Sequence, residues 1–158
     1  MRFRDFFFLF LFLALVFSIE LIGGALTAHS VGSWYLTLQK PEWNPPSWVF
    51  GPVWTILYAT IGVSGWLVFR KRKSEKKSQR AFIIYGLQLL SNVLWSYFFF
   101  FLKNPFLALL NIFALLFLIC LNIAAFKKIY RPAGLLLVPY LIWTLYAAAL
   151  NFAIWSLN

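Results

Sequence analysis

Five apolar runs, each bounded by charge, proline or asparagine, divide the chain at 6–26, 48–69, 81–102, 106–126 and 133–156. Each is 21 to 24 residues long, and about 20 helical residues cross about 30 Å of hydrocarbon. The pattern predicts an all-α membrane protein, a five-transmembrane-helix bundle occupying 1–158 as a single domain. The first run follows Arg2 and Arg4, as a signal peptide would. It is longer than the usual apolar core of about 7 to 15 residues and has no good Ala-x-Ala cleavage site, so it is read as a helix.

Polar positions inside the runs fall on stripes. In the third run Gln88, Asn92 and Ser96 stand at i, i+4 and i+8, with Trp95 on nearly the same face. Amides in hydrocarbon need partners, so this stripe must face protein or a wet cavity. The last run places Tyr140, Trp143, Ala147 and Asn151 on one stripe, which is either a tight helix seam or a pocket wall. Asn111 and Asn122, three turns apart in the fourth run, read as interhelical packing. In the second run Pro52 is expected in the first turn, with Trp54 and Tyr58 on one face. Gly62 and Gly65, with Thr60 and Ser64, offer a close helix approach, and a homodimer through such a small-residue face is one use for it. Glu20 is the single acidic residue inside a run; it is either a functional carboxyl or one hydrogen-bonded near the interface.

The connections carry the charge. With five spans, the N-terminus and the second and fourth connections share one side. That side holds Arg2, Arg4, Arg70, Lys71, Arg72, Lys73, Lys76, Lys77, Arg80, Lys127, Lys128 and Arg131, against Lys40 and Lys103 on the other. The bias predicts a cytoplasmic N-terminus and an outside C-terminus. The first connection, 27–47, is long for a bundle and carries Trp34, Tyr35, Trp43, Pro41, Pro45 and Pro46. Loops of this length are often functional, and an interfacial aromatic belt is the alternative.

Composition narrows the chemistry. The chain is 63% apolar, 22% aromatic and 11% charged, with a net charge of +10. A basic cluster beside long apolar runs points to an anionic membrane face, with membrane lipid as partner and no nucleic acid. One cysteine, Cys120, excludes an intrachain disulfide, and one histidine, His29, excludes a multi-histidine metal site. No phosphate loop, paired carboxylates or Ser-His-Asp set is present. No metal and no required cofactor are expected.

The run Trp34-Tyr35-x4-Lys40-Pro41-x-Trp43-x-Pro45-Pro46-x-Trp48-x-Phe50-Gly51-Pro52-Val53-Trp54-Thr55-x-Leu57-Tyr58 resembles the TspO/translocator protein family, the peripheral benzodiazepine receptor family. Asn92-x-x-Trp95-Ser96-x-x-Phe99-Phe100, Pro139-Tyr140-x-x-Trp143 and Leu150-Asn151-x-x-Ile154-Trp155 agree with it in order. The resemblance implies a five-helix bundle, often dimeric, that binds porphyrin, haem-type tetrapyrroles and benzodiazepine-type ligands beneath the first loop. Carried over, the ligand-binding residues would be Trp34, Tyr35, Trp54, Asn92, Trp95, Trp143, Ala147, Leu150 and Asn151. The animal cholesterol-recognition segment is not matched, since 150–156 has Phe152 for the central Tyr and no basic residue.

Three functions are then open. One is a tetrapyrrole-binding sensor or regulator, favoured because flat macrocycles suit indole walls with a few amides. A second is an enzyme for light-dependent porphyrin degradation, with Trp54 and Trp143 as the catalytic electron donors. The third is a porphyrin transporter, weakened by the lack of an inverted repeat or ion site.

Overall fold

The structure is a computed structural model that describes residues 3–73 and 75–158, without the side chain of Glu75. Arg2 of the basic side lies outside the described residues. Helices run α1 (Phe3–Ala28), α2 (Trp34–Thr37), α3 (Ser47–Lys71), α4 (Glu75–Ser96), α5 (Pro105–Ile129), α6 (Arg131–Leu135) and α7 (Val138–Leu157), with a π-helical segment Tyr97–Phe101 continuing α4. Five stretches are long and apolar enough to span a membrane, and no strand occurs among the described residues. The chain is therefore an all-α, multi-pass integral membrane protein.

Local chemistry sets the breaks. Asn104 caps α5, its Oδ1 accepting from the N–H of Leu107 at 3.0 Å, with Pro105 as the first helical residue. Pro139 has no N–H to give the carbonyl of Leu135. The last expected span consequently divides into α6 and α7, and a tighter bond from Leu137 N–H to Gly134 O bridges the break at 3.3 Å. The third span also departs from one α-helix ending at 102, because it widens into the π segment from Tyr97. Pro52 stands in the second turn of α3 instead of the first, since the helix already begins at Ser47 after Pro45-Pro46.

Packing uses the small positions internally. A Cβ added to Gly62 would meet Leu13 Cδ2 and Val16 Cγ2 at 3.0 Å, and one on Gly65 would meet Phe12 Cδ1 at 2.9 Å. The Gly62/Gly65 face is thus filled by α1 of the same chain and is not free for a second copy. Asn111 donates to Ser91 O at 2.8 Å and Asn122 to Ala81 O at 3.4 Å, which ties α5 antiparallel to α4 as interhelical packing. Outward positions such as Phe10, Ile56, Phe113, Phe117 and Ile142 remain exposed, as lipid-facing side chains do.

The two ends differ. Asp5 pairs with Arg70 at 3.8 Å, and Lys71 lies 5.7 Å from the Tyr130 ring, so the N-terminal region, the α3–α4 connection and the α5–α6 turn share one basic end. At the opposite end Ser30 donates to Phe100 O at 2.6 Å, Tyr146 to Trp43 O at 2.8 Å, and Gln39 N–H to Asn158 Oδ1 at 2.9 Å. The long first connection is laced over that end of the bundle.

Candidate ligand-binding cavity

Under the laced connection lies a cavity of about 430 Å³ walled by α1, α3, α4 with its π segment, and α7. Its floor is a chain of hydrogen bonds. The Tyr58 hydroxyl donates to Asn92 Oδ1 at 2.6 Å, and Asn92 Nδ2 donates to the Tyr140 hydroxyl oxygen at 2.8 Å. Every polar group of the Asn92 side chain is thereby engaged with an aromatic hydroxyl, which offsets the cost of an amide at this depth.

A second amide holds the wall. Asn151 Oδ1 accepts from the Trp95 indole N–H at 3.0 Å while its Nδ2 donates to Pro105 O at 2.8 Å. This joins α7 to α4 and to the start of α5. Trp95 then stacks on Phe99, centroids 5.3 Å apart at 26°, with Phe100 edge-on at 5.9 Å. The π segment is what brings Phe99 and Phe100, adjacent in sequence, both to buried positions on the cavity. Such widened turns insert a residue and rotate the side chains that follow.

On the facing side Trp54 lies 5.7 Å from the Tyr58 ring and 6.3 Å from Tyr140. Trp143 meets Phe50 edge-on at 6.0 Å. Its indole N–H is buried at the wall without a hydrogen-bond partner. A buried donor left unpaired costs about 1–3 kcal/mol. The roof is Tyr35, 6% exposed, whose hydroxyl donates to Asn44 Oδ1 at 3.2 Å under the Lys40 ammonium, 4.6 Å from the ring. Burial, and secondarily Tyr146, push the Tyr35 phenol above its ordinary value.

Tyr35, Trp54, Asn92, Trp95, Trp143, Ala147, Leu150 and Asn151 all border this one space. Trp34 does not: it stands behind the wall with its ring edge-on to Phe99 at 5.8 Å. The spacing of the first motif placed it beside Tyr35, but in α2 neighbouring side chains diverge by about 100°. Sequence reasoning singled out Glu20 of α1 but missed Gly23, Gly24, Thr27 and Ala28, which border the cavity with it. That helix is apolar over most of its surface, and Glu20, the Gly23-Gly24 pair and Thr27, about a turn apart, were the available signal. Glu20 is hydrogen-bonded, with the Thr55 hydroxyl donating to Oε1 at 2.7 Å.

The lining contains no imidazole, thiol or thioether, and no group of three His, Cys, Asp or Glu side chains occurs among the described residues. Flat aromatic faces with two engaged amides suit an apolar planar guest held by stacking. Over this same region the profile of the TspO/MBR family matches residues 10–156. The chain belongs to the TspO/MBR family. It is 41% identical to the tryptophan-rich protein TspO of Archaeoglobus fulgidus, covering 90% of this chain and 92% of the relative. Identity is 37% to the protein of the same name in Chlorobaculum tepidum, covering 92% of each. The tryptophan-rich sensory protein of Cereibacter sphaeroides is 38% identical, covering 79% of this chain and 77% of that one. The family match takes in the first connection and the cavity helices of this TspO/MBR protein together.

Proposed function

We propose that this TspO/MBR protein binds a tetrapyrrole of the porphyrin type in the cavity beneath its first connection and acts as a sensor or regulator of tetrapyrrole metabolism. The observation that carries the reading is the cavity itself, whose volume of about 430 Å³ falls in the range of small-molecule pockets, roughly 300–1,000 Å³. Its walls are the faces of Trp54, Trp95, Trp143 and Phe99. Macrocycle faces stack on such rings. With no imidazole or thiol in the lining, stacking rather than axial ligation to a metal would hold the guest. A relative named for a sensory role supports the regulatory side of the reading.

Titration of the purified protein with protoporphyrin IX tests it. Saturable quenching of tryptophan emission at one porphyrin per chain is expected, competed by an unlabelled porphyrin. Linear, non-saturating quenching equal to that of an unrelated membrane protein would refute the reading.

One observation favours a second reading, light-dependent degradation of porphyrin. Trp54 lies within 6.3 Å of both Tyr58 and Tyr140, themselves joined through Asn92. Such a set of oxidisable rings could supply electrons to a photoexcited guest, with Trp54 and Trp143 nearest to it. Illuminating the porphyrin complex distinguishes the two. Under degradation, a new absorbing product forms and Trp54→Phe and Trp143→Phe slow it far more than they weaken dark binding; under sensing, no product specific to the protein appears.

A further inference from the structure

The cavity has a second boundary besides its laced roof, and it faces hydrocarbon. α1 and α3 run antiparallel, in a register set where Thr55 donates to Glu20 at 2.7 Å. One turn nearer the loop end, four residues on along each helix, Gly51 stands level with Gly24. A further turn sets Ser47 level with Ala28. All four of these residues line the cavity, and all four are exposed, next to the exposed Leu21, Ile22, Trp48 and Ile56 on the same two helices. A wall residue that is also a surface residue marks an opening.

The physical reason is the absence of side chains at this level. Deeper in the same helix pair Gly62 is closed over by Leu13 and Val16, where an added Cβ would meet atoms at 3.0 Å. A Cβ added to Gly24 or Gly51 meets nothing within 4 Å. The gap runs from the start of α3 down to Thr55, eight residues or about 12 Å at 1.5 Å per residue. That is less than half of a hydrocarbon thickness of about 30 Å, so the gap opens to one leaflet. The aqueous end is by contrast closed by the bonds from Ser30 to Phe100 O, Tyr146 to Trp43 O and Gln39 to Asn158.

We propose that the cavity is loaded sideways through this mouth between α1 and α3, and that its ligand is an apolar planar molecule already dissolved in the bilayer leaflet at the loop end. This deepens the tetrapyrrole reading by naming the phase from which the guest arrives.

The experiment follows a thiol at the cavity wall. In a Cys120→Ser background, which removes the exposed native thiol, Ala147→Cys provides a target inside. The protein in lipid nanodiscs is treated either with pyrene maleimide, which partitions into lipid, or with a sulfonated maleimide, which stays in water. The expected result is faster labelling by the lipid-soluble reagent, slowed about tenfold or more by Gly24→Leu or Gly51→Leu, whose Cβ atoms enter open space at the mouth. The smaller Gly24→Ala and Gly51→Ala keep most of the rate. Ala28→Leu and Ser47→Leu plug the same gap if a glycine variant does not fold. Unchanged labelling in the plugged variants, or labelling by the aqueous reagent at an equal rate insensitive to them, would overturn the proposal in favour of access through the loop end. No porphyrin is used, so this outcome is independent of whether protoporphyrin IX binds.

Discussion

Trp95 gives its indole N–H to Asn151 at 3.0 Å, whereas Trp143, on the same cavity, buries its N–H without a partner. Two indoles of one wall therefore have opposite roles in stability. Trp95→Phe leaves the Asn151 carbonyl oxygen unpaired and is expected to destabilise by about 1 kcal/mol from that bond, with about 0.6 kcal/mol as the typical value for interhelical bonds in membranes. Trp143→Phe loses no internal hydrogen bond and should leave thermal unfolding in detergent unchanged or slightly raised, while weakening porphyrin binding. Equal destabilisation by both substitutions would contradict the assignment.

Ala147 borders the cavity on α7 between Trp143 and Asn151. Leu in its place adds three carbons where a rigid macrocycle would lie, and overpacking costs about 1–3 kcal/mol. Protoporphyrin affinity should fall about 5- to 150-fold by that arithmetic. A folded Ala147→Leu protein that binds as tightly as the parent would move the guest to another face.

The roof should open at high pH. Burial holds the Tyr35 phenol above its ordinary value of 10.0, with Tyr146 adding to the shift. The folded chain thus keeps this proton more tightly than the unfolded one. The stabilisation is complete below pH 10 and is lost as pH rises through the raised folded value. Limited proteolysis of the first connection should accelerate above pH 10 in the parent, and the alkaline step should be reduced in Tyr35→Phe. An identical alkaline profile in the two proteins would remove Tyr35 as its origin.

The basic end gathers Arg70, Lys71, Lys127 and Lys128 with the N-terminal region, opposite the laced connection. The charge bias predicts that this end is cytoplasmic. A reporter that matures only outside the cytoplasm should be active when fused after Asn158, and a cytoplasmic reporter should be silent there. The reverse pattern would invert the orientation while leaving the five spans intact.

The five spans were legible in the sequence because hydrocarbon thickness acts on each segment alone: a run long and apolar enough must cross, whatever its neighbours do. The stripes through Asn92 and Asn151 were legible for a similar reason, since an amide in hydrocarbon is costly without a partner, although Gln88 on the Asn92 stripe is buried without one. Which partner was a different matter. Tyr58 and Tyr140 come from α3 and α7, and only the packed bundle brings both hydroxyls to Asn92.

The π segment, the retreat of Trp34 behind Phe99 and the share of the wall supplied by α1 were decided by tertiary structure alone. α1 is apolar over most of its surface, so hydrophobic periodicity left only Glu20 and Thr27 to mark the side that meets the cavity. The glycines show the division most directly. The sequence reading took Gly62 and Gly65 as places of close helix approach and made no such reading of Gly24 or Gly51, although local chemistry treats all four alike. The crossing of α1 over α3 closes Gly62 and Gly65 with Phe12, Leu13 and Val16, and leaves Gly24 and Gly51 facing open space. A missing side chain becomes a seam or an opening according to how near the opposing helix comes, and that separation is a property of the whole packed bundle.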